Sequence, residues 1–256
     1  MIYFGETNII YSAIYLFPAT IVRDNIQYGV TMATQEITTI STVDVMFEMM
    51  QQDIFSEVFK PGARITEREL TERYNVSRNT ARESIVNLLA NGLLIKEPNK
   101  GVYVRALSID DVHELFNLRY LLESEAVKYI TASGVIPPEL FRLAEQIIDM
   151  TNKDDEYNHI SADIHFHEKL IEASGSIRLM RLYWDIVSEI KLCMYQSIRY
   201  TPFKKENSLA HIELLNAMEN DNVNGALNIL KNHFSNAVSN FEIAFTDINK
   251  IKTEED

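Results

Sequence analysis

Four side chains in the second half of the sequence are of metal-binding types and are spaced to share helix faces. Asp163 and His167 lie four residues apart, which puts both on one side of an α-helix, in line with Ile160, Leu170 and Ile171. His211 falls in line with Leu215 and Met218, and His233 with Ala226, Leu230 and Ala237. One inward histidine is ordinarily a hydrogen-bonded core residue. An Asp and three His at stripe positions of three helices are harder to satisfy singly, and a shared divalent cation is one partner for all of them. Spacing alone leaves a metal and separately bonded core residues equally open.

Arg119 also falls on a stripe that should face the core, the line Val112, Phe116, Arg119, Glu123, Ala126, Ile130. It either pairs with Glu123 four residues on, worth a few tenths of a kcal/mol on a helix surface, or reaches a cavity above the metal. There its planar fork would grip a carboxylate effector. The remaining histidines read plainly. His165 points away from His167, His159 shares the Asp163 face one turn earlier and is either solvated or stands just behind the ligands, and His113 has no partner that can be named. His167-Glu168-Lys169-Leu170-Ile171 starts like a zinc-protease HExxH, but Ile171 replaces the second His. For a hydrolytic alternative no well-placed general base is legible, and only Glu168 stays open.

A second constellation lies earlier in the chain. Ser77, Arg78, Asn79, Thr80 and Arg82 sit at the start of a helix, where Arg can pair with guanine, Asn with adenine, and hydroxyls with phosphate oxygens. Arg68 and Lys100 could clamp the DNA backbone on either side. The bland alternative is a small protein-binding module with solvated charges.

The elements that must position these residues are legible. Thr66-Glu67-Arg68-Glu69 reads as a capping box flanked by the staple Ile65 and Leu70, starting a short helix that ends near Tyr74. Asn75-Val76 turns into Ser77, an N-cap, and the next helix carries Ala81, Ile85, Leu88 and Leu89 to an αL ending at Asn91-Gly92. Leu93-Leu94-Ile95 and Val102-Tyr103-Val104 flank the turn Pro98-Asn99-Lys100-Gly101 as a hairpin. Helix, turn, helix and wing agree with one another as a DNA-reading winged helix-turn-helix over residues 43–105.

After it, Ser108-Ile109-Asp110-Asp111 caps a helix with Leu107 and Val112 as staple, and the pattern stays helical to about Asp247. Breaks at Ser133-Gly134 with Pro137-Pro138, Lys153 to Glu156, Ser174-Gly175, Thr201-Pro202 and Asn220 to Asn222 predict six helices in an antiparallel bundle over 106–247, then a polar tail over 248–256. The fold class is mainly α.

The net charge of −13 over 256 residues is unevenly spread. Arg64 to Arg105 holds eight basic and five acidic residues, a balance of +3 that leaves −16 for the rest. The positive field is confined to the reading head. One cysteine, Cys193, excludes an internal disulfide, reads as a small buried apolar residue, and fits a reducing, cytoplasmic setting. Residues 1–42 fit neither domain. They read as a disordered extension or a mis-set translation start, with Met32 or Met46 as the beginning. Ile9 to Val22 is too short to span a bilayer, although a peripheral anchor is the alternative. No membrane partner is expected.

Pro61-Gly62, Glu67-Arg68-Glu69-Leu70, Asn75-Val76-Ser77-Arg78, Arg82-Glu83, Leu88-Leu89, Asn91-Gly92-Leu93 and Pro98 to Val104 together resemble the GntR-family DNA-binding domain. The usual Thr-Pro after Ser-Arg is replaced by Asn79-Thr80, which points to a different operator preference. The resemblance implies operator contacts at Arg68, Arg78, Arg82 and Gly101. The Asp163-x-x-x-His167 pair with His211 and His233, the Arg119…Glu123 helix and Ala173-Ser174-Gly175-Ser176 resemble the FCD ligand-binding domain of the FadR-type subfamily. That likeness implies a divalent metal on Asp163, His167, His211 and His233, a small carboxylate completing its coordination, and a homodimer on a palindromic operator. The donor set suits Zn first, with Ni or Mn as alternatives. The expectation is a regulator, not an enzyme. The rivals are a metal-dependent hydrolase and a regulator whose metal is purely structural.

Overall fold

A computed structural model of the protein describes residues 41–153, 155–198 and 205–255, all inside one compact unit, Ile40–Asp256. The reading of residues 1–42 falls, except for its last two positions, outside the described residues. Helix α1 (Thr42–Phe55) begins there on Ser41, whose hydroxyl accepts the Asp44 N–H at 3.1 Å. It buries Met46, Met50 and Ile54 against the rest of the head.

Helices α2 (Glu67–Tyr74) and α3 (Arg78–Ala90) form the helix-turn-helix. Thr66 Oγ1 accepts the Glu69 N–H at 3.2 Å, but the reciprocal half of the expected capping box is absent and Glu69 stays exposed. Asn75 takes the left-handed conformation (φ 51°) that the tight turn needs, and Ser77 caps α3 by accepting the Thr80 N–H at 3.1 Å. Ala81, Ile85 and Leu88 are buried as their spacing predicts, while Leu89 is only half-buried. Ser84 lies on the same inward face and donates to the Val43 carbonyl at 3.3 Å.

The wing is β2 (Leu94–Glu97) against β3 (Gly101–Val104), antiparallel, with Leu94 opposite Val104 and Glu97 opposite Gly101. A third strand, β1 (Arg64–Ile65), pairs with the other edge of β3, giving the order β1-β3-β2. Two residues carry no periodicity, so β1 left no pattern in the sequence.

Among the described residues six helices follow: α4 (Ile109–Ser133), α5 (Pro138–Asn152), α6 (Glu156–Ala173), α7 (Ile177–Ser197), α8 (Lys205–Glu219) and α9 (Val223–Glu255). The Ser108–Asp111 capping box forms in both directions, at 2.8 and 3.2 Å. The break expected at Thr201-Pro202 lies outside the described residues; the others fall where predicted. Helix α9 continues through the residues expected as a polar tail, to Glu255. The α4 line from Val112 to Ile130 is buried throughout, Arg119 and Glu123 included. No helix among the described residues is long and apolar enough to cross a membrane.

Candidate functional site

The bundle's core contains a polar cup. Helix α6 supplies Asp163 and His167, α8 supplies His211 and α9 supplies His233, all four buried. One donor atom from each lies within 4.8 Å of the others. His211 Nε2 is 3.0 Å from Asp163 Oδ1 and 3.3 Å from His167 Nε2. His233 Nε2 is 3.8 Å from Asp163 Oδ1, and His167 Nε2 is 3.9 Å from Asp163 Oδ2. Bonds of about 2.1 Å to one ion would separate neighbouring donors by roughly 3.0–3.4 Å in tetrahedral or octahedral arrangements. The two His211 separations fall in that range, and the wider ones would have to close in for all four donors to bind one ion.

Hydrogen bonds behind the rings aim them inward. His167 Nδ1 lies 2.5 Å from Glu123 Oε2, and His211 Nδ1 lies 3.1 Å from the Ser208 carbonyl. The Ser208 carbonyl can only accept, so His211 turns its Nδ1–H to it, and Nε2 of both rings faces the cup. Burial pushes the imidazoles of His167 and His233 well below the usual histidine range, so both are neutral, the form that ligates. Burial alone would raise the Asp163 carboxyl, but His211, whose Nε2 is 3.0 Å away, and the Arg119 guanidinium hold it well below the usual range. Asp163 Oδ2 and His233 Nδ1, both buried, have no hydrogen-bond partner among the described residues. Neutral imidazoles, an ionised carboxylate and an orphaned ligand oxygen fit a divalent cation.

Arg119 pairs with Glu123, buried rather than on a helix surface, and also lines the cavity beside the cup. Its Nε donates to Glu123 Oε1 at 2.8 Å, and its Nη2, 3.5 Å from Asp163 Oδ2, has no hydrogen-bond partner among the described residues. Burial opposes its charge, and the Tyr183 oxygen, Glu123 and Asp163 outweigh that effect. Burial raises the Glu123 carboxyl to about 7 against the pull of Arg119. The guanidinium lies 4.6 Å from the Phe234 ring centre. A small cavity beside the cup is lined by Arg119, Asp163, Asn207, His233, Phe116 and Phe241.

Of its two alternatives His159 takes the second: it is buried one turn before Asp163, with Nε2 3.0 Å from Ser208 Oγ. Thr151 Oγ1 is 2.7 Å from the same hydroxyl, so Ser208 ties α5, α6 and α8 together beneath His211. His113 does have a partner, Glu242, at 3.0 Å. Glu168 is buried on another side of α6, 3.2 Å from Lys191, which with His165 holds its pKa low despite burial. That is a poor general base, and it is absent from the cup. Glu123 entered the sequence reading only as Arg119's partner; its role behind His167 spans 44 residues of sequence and left no local signal.

At the other end, α3 presents Arg78 and Asn79 exposed. Ser77 and Thr80 hydroxyls lie 2.9 Å apart. Arg82 is engaged bidentately by Glu67 of α2, at 2.9 and 3.1 Å. Arg68 pairs with Glu72 at 2.8 Å and Lys100 with Glu97 at 2.9 Å, whereas Arg78 makes no ion pair among the described residues. Gly101 (φ 131°) opens β3, and a Cβ there would stand 3.1 Å from Arg64 Nε.

A winged helix-turn-helix leading into a helical bundle with a buried polar cup has the architecture of a DNA-binding transcriptional regulator. Residues 42–104 match the family of bacterial regulatory proteins, gntR family, and residues 114–236 match the FCD domain. The chain belongs to the GntR family and carries an FCD domain behind its DNA-binding head. It is 27% identical over 179 residues to the HTH-type transcriptional repressor RspR of Escherichia coli K12, covering 68% of this chain and 75% of that one. It is 27% identical over 197 residues to the Nta operon transcriptional regulator of Aminobacter aminovorans, covering 74% and 91%. The crystal structure of a GntR transcriptional regulator from Rhodococcus sp. RHA1 superposes with a TM-score of 0.63 at 27% identity, over 78% of this chain and 96% of that one. These families and relatives are transcriptional regulators, not enzymes.

Proposed function

We propose that the protein is a homodimeric, cytoplasmic regulator whose affinity for a palindromic operator is set by a small carboxylate bound at a divalent metal. Asp163, His167, His211 and His233 hold the metal, Zn first and Ni or Mn as alternatives. The bound ion supplies a positive centre for an acid, and Arg119 supplies a fork for the same carboxylate. In the head, Arg68, Ser77, Arg78, Asn79, Thr80, Arg82, Lys100 and Gly101 meet the operator. Two heads on one palindrome compensate for a modest positive balance, because the second contact is intramolecular. The acid must bind one arrangement of the bundle better than the other for operator affinity to respond.

The observation that carries this reading is the convergence of four buried donors, within 4.8 Å of one another, beside a cavity that Arg119 lines with an unspent Nη2. The test is elemental analysis of the purified protein, then operator binding against a panel of small carboxylates with and without chelator. Operator affinity should change with at least one acid, only while metal is present, and Arg119→Lys should blunt that response while keeping the metal. Bound metal with no acid response at all would leave a purely structural ion and reject the sensing half.

A further inference from the structure

The cup and the reading head share one helix. Along α7, Tyr183, Val187, Ile190, Met194 and Ser197 recur at spacings of four, three, four and three, which makes them one face, and all are buried. That face belongs to the cup: Met194 and Ser197 line the cavity. Ser188 and Tyr195 lie on a different side, with Glu189 beside them. From Val187 to Tyr195 only Glu189 and Lys191 escape burial, so the helix is enclosed on nearly every side.

What encloses the second side is the DNA-binding head. Tyr195 stacks on Phe55 at the end of α1, with ring centres 5.0 Å apart. Ser188 Oγ lies 3.5 Å from Asn91 Oδ1, the residue that ends the recognition helix α3. Glu189 Oε2 pairs with Arg105 Nη1 at 2.8 Å, and Arg105 Nη2 reaches Asp111 Oδ1 at 3.1 Å. Arg105 follows the last wing strand, and Asp111 lies in the first turn of α4, so one guanidinium ties the head's exit to two bundle helices. Glu189 also packs on Gly92 so closely that a Cβ there would fall 2.5 Å from Oε1.

We infer that Glu189 is a positioning residue for the reading head, and that α7 carries the state of the cup to the recognition helix through it. This rests on the metal and carboxylate reading above. A helix of 21 residues with no glycine or proline inside it moves as a rod, so a ligand pressing on Met194 and Ser197 displaces Ser188, Glu189 and Tyr195 with them. Glu189 then either keeps or releases Arg105 and Gly92, which sets where the end of α3 and the wing strand lie. The ion pair gives the contact a discrete made-or-broken character, the kind of element two sites can bias together.

Amide hydrogen exchange of the full-length protein, with and without Zn2+ plus acetate, tests this without a known operator. Zn2+ with acetate should protect the segments around Asp163, His211 and His233, and should also change exchange over residues 88–95 and 105–111. In Glu189→Gln, and separately in Arg105→Gln, the cup should keep its protection while the response over 88–95 is lost. A response that persists in both variants overturns the inference, as does a wild-type head that stays silent while the cup is protected. Failure of Zn2+ to bind or to protect the cup overturns the metal reading and this inference together.

Discussion

Glu123 Oε2 stands 2.5 Å behind His167 Nδ1, while Glu123 Oε1 accepts from Arg119 Nε at 2.8 Å. One carboxylate thus fixes the tautomer of a candidate metal ligand and the orientation of the candidate effector-binding arginine. Carboxylates in that position raise the basicity of the ring they orient. In Glu123→Gln the side chain keeps its shape but loses its charge. Metal affinity should fall by about 10- to 100-fold, measured by competition with a chromophoric chelator. Unchanged affinity would show that Glu123 serves Arg119 alone.

Chelation should loosen the bundle as well as empty the cup. A ligand free at about 100 times its dissociation constant contributes about 2.7 kcal/mol, which for a chain of this size is a fall in Tm of roughly 5–10 °C on its removal. His211→Ala should already sit at the lower Tm and be indifferent to EDTA. If wild type and His211→Ala respond alike to EDTA, the ion binds elsewhere.

The head's charges should separate by role. Arg78 is exposed and makes no ion pair among the described residues, so its fork is available to a base edge; Arg78→Ala should weaken operator binding by about 1–3 kcal/mol. Lys100 at the wing already holds Glu97 at 2.9 Å, and its expected partner is a phosphate. Lys100→Ala should weaken specific and non-specific DNA about equally and make the salt dependence shallower by about one unit. Binding titrations over a range of salt concentrations, on operator and scrambled duplexes, distinguish the two. Equal loss of specificity in both variants would contradict the assignment.

The cup was legible because polar residues at apolar-stripe positions stand out against a 3.6-residue period, and Asp163, His167, His211 and His233 each broke such a stripe. Arg119 and Glu123 stood out in the same way. What the sequence could not convey was which helix faces which. Ser208 beneath His211 and Glu123 behind His167 depend on helices meeting across long stretches of chain, and His159 is buried because Ser208 of α8 arrives to meet it. Strand β1 escaped for the opposite reason: two residues hold no pattern, and only pairing with β3 makes them a strand. The ion pairs of Arg82 and Lys100 were equally hidden, since each partner could as well have been solvated.

Gly92 was expected from its place after α3, where a left-handed residue ends a helix, and its φ of 70° agrees. The structure adds a second demand, because Glu189 fills the space a Cβ would take. Gly92→Ala therefore combines two effects. The left-handed backbone costs a non-glycine residue about 1–2 kcal/mol, and the flexible end of Glu189 must swing away, giving up Arg105. Urea denaturation of Gly92→Ala in wild-type and Glu189→Ala backgrounds separates them. The loss of stability should be smaller in the Glu189→Ala background, where only the backbone effect is left. Since Gly92→Ala dislodges the same carboxylate, its head should also lose the hydrogen-exchange response to Zn2+ and acetate. Equal losses in the two backgrounds would mean that Glu189 does not press on Gly92, and that the contact between α7 and the recognition helix is slack.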